Sequence, residues 1–321
     1  GAQTNDAIRL DHSAGNHTLN YVYVANNESG SIANSNNANV DYHVFRAATE
    51  GVMGGKLVGM FVATDSVSDE WYTVGARQSG KLGGLDYRVE YYHQFGGATA
   101  DAVTSDQSTA YATTVTAAST VDRDASMFGI RVGKTFKNTS LSPTITLWYD
   151  NLSGQDDEDV NNDEYGAFNT LQDTGHKFYG LMDQYLNNLG DGTQRYGLQD
   201  IAIKTKFKVS DVNTLKIDWH QFLTQTDLEG GDSNTIRTAG GGAFATGAGT
   251  NGTGDLGNDL GQEIDVTLVH KYDSNTKLIA GYSHYFTTRT HSLLNGSGGG
   301  DNGLDNSDGQ DWIYLMADTK F

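Results

Sequence analysis

The chain has 321 residues, of which 37% are hydrophobic and 10% aromatic, and it contains 40 Gly, one Pro and no Cys. The lack of Cys excludes disulfide frameworks, thiolate metal sites and cysteine nucleophiles. No run of about 18 apolar residues occurs, which excludes a transmembrane helix but leaves membrane-spanning strands open. The formal net charge of −19 argues against nucleic-acid binding, because that function needs a basic face.

Segments in which every second residue is apolar predict β-strands along the whole chain. In residues 215–220, for example, Lys216, Asp218 and His220 alternate with three large apolar residues. Thirteen strands are predicted in chain order, near residues 6–12, 18–25, 40–49, 56–64, 70–78, 84–96, 126–136, 143–152, 198–209, 212–223, 261–272, 277–289 and 311–321.

The predicted connections alternate between short turns and long loops, with the short 65–69 connection as the one exception. The four longest loops, 97–125, 153–197, 224–260 and 290–310, hold 21 acidic and 4 basic residues, which is −17 of the net charge of −19. Alternating turns and loops are typical of outer-membrane barrels, with turns in the periplasm and loops outside. A soluble β-sandwich also alternates polar and apolar residues, but it does not alternate connection lengths over so many hairpins. We therefore expect an all-β, transmembrane, antiparallel up-and-down barrel as a single domain over residues 1–321.

A barrel in lipid directs its polar residues into the lumen. This rule predicts a wall of mixed charge, which forms either a hydrated path for polar solutes or a set of ion pairs that fill a closed lumen. About 14 to 18 strands enclose an aqueous channel, which favours the path. The predicted basic lumen residues are Arg9, Arg77, Arg88, Arg131, Lys204, Lys206, Lys208, Lys216 and Lys271. The predicted acidic ones are Asp11, Asp41, Asp86, Glu90, Asp150, Asp218, Glu263 and Asp265.

Lys204, Lys206 and Lys208 form the clearest local pattern, because a period of two puts all three on one face over about 13 Å. The row is either a ladder for sugar acids and other anions or a paired patch near the periplasmic mouth. An enzyme is not expected: Ser283 and His284 point to opposite faces, and no His has a convincing metal-ligand spacing. No cofactor is expected, although the acidic loop segments 156–159 and 301–308 could bind Ca²⁺ or Mg²⁺.

Four stretches carry a family resemblance: GHKFYGLMDQYL at 175–186, GLQD at 197–200, LKIDWHQF at 215–222 and DWIYLMADTKF at 311–321. Together they resemble the alginate-export-type family of bacterial outer-membrane porins. The resemblance implies a monomeric barrel that passes polysaccharides or small polar solutes without an energy source. An alginate exporter is expected to have a strong basic excess in its pore, whereas this wall is mixed, so the resemblance does not imply alginate itself. Phe321 is similar to the terminal signal read by the outer-membrane insertion machinery.

Single-chain bacterial barrels have even strand numbers, so an odd count predicts that an N-terminal part precedes Gly1 and that the complete protein has 14–18 strands. Residues 176–186 are more apolar than the loop around them, which predicts an inward-folded element. The expected function is passive passage of small polar solutes or saccharides through a charged lumen in a Gram-negative outer membrane. The expected partners are outer-membrane lipid, lipopolysaccharide and the solute, with no nucleic acid. The alternative is a structural barrel that acts as a sleeve or anchor for a partner protein.

Overall fold

A computed structural model describes most of the predicted strands and part of the longest loops. The described residues are 6–26, 40–66, 70–99, 120–156, 159, 162, 164–171, 175–176, 178–185, 193, 196–228, 236–237, 243–244, 257–288, 290–291 and 309–320. Within them, no helix is both long enough and apolar enough to cross a membrane.

All thirteen predicted strands are present, and three two-residue strands are added to them. In chain order the strands are β1 (Asp6–Ala14), β2 (His17–Asn26), β3 (Val40–Val52), β4 (Gly55–Ser66), β5 (Glu70–Leu82), β6 (Leu85–Thr99), β7 (Thr120–Thr135), β8 (Thr144–Leu152), β9 (Glu164–Tyr165), β10 (Leu198–Lys208), β11 (Asn213–Leu228), β12 (Ile236–Arg237), β13 (Ala243–Phe244), β14 (Gly257–Lys271), β15 (Thr276–Thr287) and β16 (Gln310–Thr319). Several strands extend beyond their predicted bounds, such as β7, which begins at Thr120, and β11, which ends at Leu228, whereas β8 and β10 stay within theirs.

The long strands form one antiparallel up-and-down sheet in which each strand pairs with its neighbour in the chain. The order runs from β1 to β8, then through β10, β11, β14 and β15 to β16. Within the described residues no pairing joins β1 to β16, so the total strand number of the protein stays a prediction. The short β9 pairs in parallel with β7, and β12 pairs with β13 in a separate small ribbon.

The predicted alternation of connections is present at the turn end of the sheet. Two-residue turns join β1 to β2, β3 to β4 and β5 to β6. In the last of these, Gly83 and Gly84 have φ values of 59° and 80°, the left-handed conformation that a tight hairpin turn requires and that glycine adopts without strain. The exceptional 67–69 connection lies outside the described residues, as does most of the long-loop rim.

The two faces of the sheet differ sharply in chemistry. On one, the outer face, large apolar side chains are exposed, such as Ile8 (62%), Leu147 (58%) and Leu315 (83%). On the other, the inner face, Glu90, Asp150 and many other polar residues are buried. Apolar side chains exposed over a whole sheet face match a surface against lipid, as expected of a transmembrane barrel.

The inner face is covered by described residues of the 153–197 connection, which we call the inner segment (164–171, 175–176 and 178–185). It reaches Gln94 on β6, whose Nε2 donates to the Asn169 carbonyl at 2.7 Å. At its other end, the Tyr185 hydroxyl hydrogen-bonds to that of Tyr285 on β15 at 2.6 Å. The predicted inward-folded element is therefore present, and it crosses the inner face from β6 to β15.

Candidate functional site

The polar residues of the inner face form a band across β6, β7, β8, β10, β11 and β14, which we call the charged belt. Strand pairing brings them together, because residues directly opposite each other on adjacent strands point to the same face, as does every second residue along one strand. The belt consists of Arg88, Glu90, Arg131, Asp150, Asp200, Lys204, Asp218, His220, Glu263 and Asp265.

On the β6–β8 side of the belt, Arg131 connects two carboxylates. Its Nη1 lies 3.1 Å from Glu90 Oε1 and its Nη2 lies 2.9 Å from Asp150 Oδ2. Arg88 Nη2 approaches Glu90 from the other side, at 2.6 Å from Oε2. The Arg131 guanidinium also stacks 3.5 Å from the centre of the Trp148 ring, a cation–π contact that fixes its plane. Charges are therefore matched locally, with each carboxylate facing a guanidinium.

On the β10–β15 side of the belt, His220 takes the central place. Its Nδ1 lies 2.8 Å from Asp200 Oδ1, and its Nε2 lies 4.0 Å from Asp265 Oδ2. The Ser283 hydroxyl donates to Asp265 Oδ1 at 2.5 Å. This chain of polar groups is fully enclosed, because His220, Asp200 and Ser283 have no exposed surface.

Glu263 ties the charged belt to the inner segment. Its Oε1 accepts hydrogen bonds from the backbone N–H groups of Leu181 at 2.7 Å and Met182 at 2.9 Å. The preceding Gly180 has a φ of 84° and passes so close that an added Cβ would lie 2.5 Å from the Glu263 carboxyl carbon. Only glycine fits this approach.

The three lysines of the row lie on one face of β10, as their spacing predicts, and two of them are paired with a carboxylate. Lys204 Nζ lies 3.8 Å from Asp218 Oδ2, and Lys208 Nζ lies 2.8 Å from Asp211 Oδ1. The hydrogen bond from Lys208 lowers the pKa of the Asp211 carboxyl, in the turn after β10. Lys206 instead stands directly opposite Lys216 on β11, a pairing of like charges with no ion pair among the described residues.

Of the remaining predicted lumen residues, Arg77 adjoins the belt and the others lie away from it. Arg9 on β1 bonds Asp11, and both are exposed. Arg77 on β5 is opposite Glu90 in the register, and Asp86 pairs with Lys81 beside a short turn. Lys271 lies at the turn end of β14, on the parity of Glu263 and Asp265.

One lumen prediction is wrong: Asp41 lies on the outer face. It has the parity of Phe45, which is 50% exposed on that face, and it accepts a hydrogen bond from the Tyr23 hydroxyl at 3.0 Å. The physical reason is the register of β3, whose inner residues are the even-numbered ones such as Arg46, which donates to Asn20.

The predicted lumen residues omitted two residues of the belt, Asp200 and His220. They also omitted Ser283 on β15, which donates to Asp265 of the belt. Asp200 has the same parity as Lys204 in a strand already predicted, so the alternation itself could have identified it. The prediction that Ser283 and His284 face opposite sides is confirmed, since Ser283 is buried and His284 bonds Asp311 on the outer face at 2.8 Å.

The predicted metal sites lie in the acidic loop segments, of which the structure describes only a small part. Within all the residues that the structure describes, no cluster of three or more His, Asp or Glu side chains could hold a metal ion. The 156–159 segment is described only at Asp156 and Asp159, and 301–308 lies outside the described residues. A loop Ca²⁺ or Mg²⁺ therefore stays a prediction.

Two solved structures show a low similarity to the chain. Among solved structures, the chain is similar to the NanC porin (TM-score 0.35, 8% identity, covering 88% of this chain and 94% of the other). It is also similar to the outer-membrane protein OmpT of Vibrio cholerae (TM-score 0.37, 9% identity, covering 98% and 94%). Scores this low carry no argument about function.

The sequence itself identifies the family. No curated protein matches the chain. The family model described as alginate export matches residues 7–290, which is most of the chain. The chain therefore belongs to the alginate export family, and it is an outer-membrane channel.

Proposed function

We propose that the protein is a passive channel for small polar solutes or saccharides in the outer membrane of a Gram-negative bacterium, and that it works as a monomer. The observation that carries this proposal is the charged belt on the face opposite the lipid-exposed apolar residues. Six strands contribute to the belt, from Arg88 on β6 to Asp265 on β14.

A belt of this kind favours water and polar solutes over apolar ones. Dehydrating a charged side chain costs several kcal/mol, so a wall with this many charges stays wet wherever the protein does not cover it. Because the wall carries both cationic side chains and carboxylates, a passing polar solute can exchange its water contacts for contacts with either sign of charge.

The position of the inner segment is evidence for a narrow, selective passage rather than a wide pore. It packs across the belt from Gln94 to Tyr285 and so reduces the open section of the lumen. A narrowed, hydrogen-bonding passage suits small solutes and single extended chains, and it excludes folded or branched material.

The alternative, a structural sleeve around a partner protein, needs an inner face that is free to receive that partner. Here Tyr179, Tyr185 and Phe168 of the inner segment already occupy part of that face as buried residues. This occupancy supports the channel over the sleeve.

Planar lipid bilayers provide the direct test. We expect purified protein to give discrete conductance steps and to let liposomes swell in solutions of small neutral sugars. Heat-unfolded protein is the control for detergent leakage. A correctly folded protein that inserts but neither conducts nor supports swelling would contradict the channel and favour the sleeve.

A further inference from the structure

A cavity of about 210 Å³ separates the inner segment from the wall formed by β4–β8. Arg88, Glu90 and Arg131 line it from the wall, and Phe168 and Phe178 line it from the inner segment. A water molecule takes about 30 Å³ in the liquid, so the cavity has room for a small solute.

The charges around this cavity cancel. Arg88 and Arg131 both contact Glu90, at 2.6 and 3.1 Å, and Arg131 also contacts Asp150 at 2.9 Å. Two cations and two anions therefore line the space as one closed network. A solute with a net charge would have to break a pair or leave a buried charge uncompensated, and both are costly. An uncharged solute meets neither penalty.

The lining also offers hydrogen bonds and ring faces. Thr73 and Tyr92 also line the cavity, and their side chains carry hydroxyl groups that can exchange hydrogen bonds with those of a solute. Arg131 lines the same space and is only 7% exposed. Beside it, the Phe178 ring centre lies 5.8 Å from the Arg131 guanidinium carbon and presents apolar surface. A sugar ring has hydroxyl edges and C–H faces, so it matches both features.

We propose that this cavity is a binding subsite for one uncharged sugar ring, and that it discriminates against the corresponding sugar acid. The proposal rests on the proposed function, because the ring reaches the cavity from the lumen. It narrows the solute class from polar molecules in general to neutral saccharides.

The test compares two solutes of nearly equal size that differ by one carboxylate. Folded protein in detergent is titrated with D-glucose and with D-glucuronate, and tryptophan fluorescence is followed. Trp148 reports on the site, because its ring stacks 3.5 Å from the Arg131 guanidinium. We expect glucose to bind roughly tenfold more tightly than glucuronate, equivalent to about 1.4 kcal/mol.

Two variants connect the preference to the cavity. Glu90→Gln leaves the network with one excess positive charge, so the preference should shift toward glucuronate. Phe178→Leu removes the ring face and should weaken glucose binding. Tyr91→Leu is the matched control, since Tyr91 neighbours Glu90 but is 51% exposed on the outer face, and it should bind glucose as the wild type does.

Equal binding of both solutes, or tighter binding of glucuronate by the wild type, would overturn the proposal. So would an unchanged preference in a folded Glu90→Gln protein. If that variant does not fold, the comparison of Phe178→Leu with Tyr91→Leu decides the matter, and equal glucose binding overturns the proposal. Conductance distinguishes a failure of the subsite proposal from a failure of the proposed function. A protein that conducts but does not prefer glucose would support the proposed function and contradict only the subsite.

Discussion

Glu263 on β14 accepts a hydrogen bond from the backbone N–H of Leu181 at 2.7 Å, although 82 residues separate the two in the chain. The same oxygen accepts from Met182 at 2.9 Å. A side chain of the wall therefore holds the backbone of the inner segment in place. The contact depends on Gly180, which leaves room for the carboxylate.

Removing the Glu263 side chain should release the inner segment. We expect Glu263→Ala to raise the mean single-channel conductance and the current noise, because two hydrogen bonds of about 1 kcal/mol each are lost. Glu263→Gln keeps an oxygen acceptor and is the matched control, with conductance close to that of the wild type. Gly180→Ala should behave like Glu263→Ala, since the added Cβ cannot fit. If Glu263→Ala and Gly180→Ala both conducted as the wild type and Glu263→Gln do, this contact would not be what holds the segment.

The far end of the inner segment is fixed by the Tyr185 hydroxyl. It lies 2.6 Å from the Tyr285 hydroxyl and 2.6 Å from His291 Nδ1, and it is fully buried. Tyr185→Phe removes the shared group and leaves buried partners behind, so we expect a loss of about 1–3 kcal/mol in unfolding free energy. Denaturant titration in detergent measures this loss. Tyr282→Phe is the control on the outer face, where Tyr282 is 43% exposed. Equal losses in both variants would contradict the assigned role.

The opposed lysines Lys206 and Lys216 should influence ion selectivity more than Lys208 does. Lys208 is paired with Asp211, whereas Lys206 and Lys216 stand directly opposite each other on the neighbouring strands β10 and β11. We expect Lys206→Gln combined with Lys216→Gln to shift the reversal potential in a salt gradient toward cation selectivity, with a smaller shift for Lys208→Gln. Lys134→Gln serves as an outer-face control, because Lys134 lies over the Phe136 ring. Unchanged potentials in the double variant would place these lysines outside the ion path.

Arg131 should be the most costly residue of the belt to replace. Arg131→Gln leaves Glu90 and Asp150 as buried carboxylates without their shared partner, and losing one side of a buried ion pair costs about 3–5 kcal/mol. Arg9→Gln is the matched control, because its pair with Asp11 is exposed and solvent screens such pairs, so little stability should be lost. Thermal unfolding in detergent compares the two. A smaller loss for Arg131 than for Arg9 would refute the assignment.

The connection after β8 should respond to pH through Asp159. Burial raises the pKa of the Asp159 carboxyl to about 6 from an ordinary value of 3.8. Because the folded-state pKa is the higher one, the contribution of this group to stability is fully present below about 4. It is lost as pH rises through about 6.

In the wild type, Asp159 Oδ2 accepts a hydrogen bond from the Asp156 N–H at 3.0 Å. Asp159→Asn removes the titrating carboxyl but keeps a side-chain oxygen that can accept the same hydrogen bond. We therefore expect the difference in unfolding midpoint between wild type and variant to change between pH 4 and pH 7. The midpoint of the wild type should fall relative to that of the variant as the pH rises to 7. A constant difference across this range would show that Asp159 does not titrate there.

The sequence by itself determined the strands and the direction of most of their side chains. Alternation is a local property of an extended backbone, so residues such as Lys216, Asp218 and His220 reveal their face without any knowledge of their neighbours. Connection lengths are equally local, and they predicted the up-and-down order. Asp41 was misplaced because the alternation in β3 is weak, and only the pairing with β2 fixes its register.

Tertiary structure decided which charges meet and what covers them. Glu90 and Asp150 share Arg131 because β6, β7 and β8 pair in one particular register, which a strand pattern does not specify. The path of the inner segment depends on contacts such as Leu181 with Glu263, between residues far apart in the chain. The apolar content of residues 176–186 predicts that the segment folds inward, but it does not specify which wall residues the segment meets. Those contacts form only in three dimensions, where packing and hydrogen bonds offset the entropic cost of closing so long a loop.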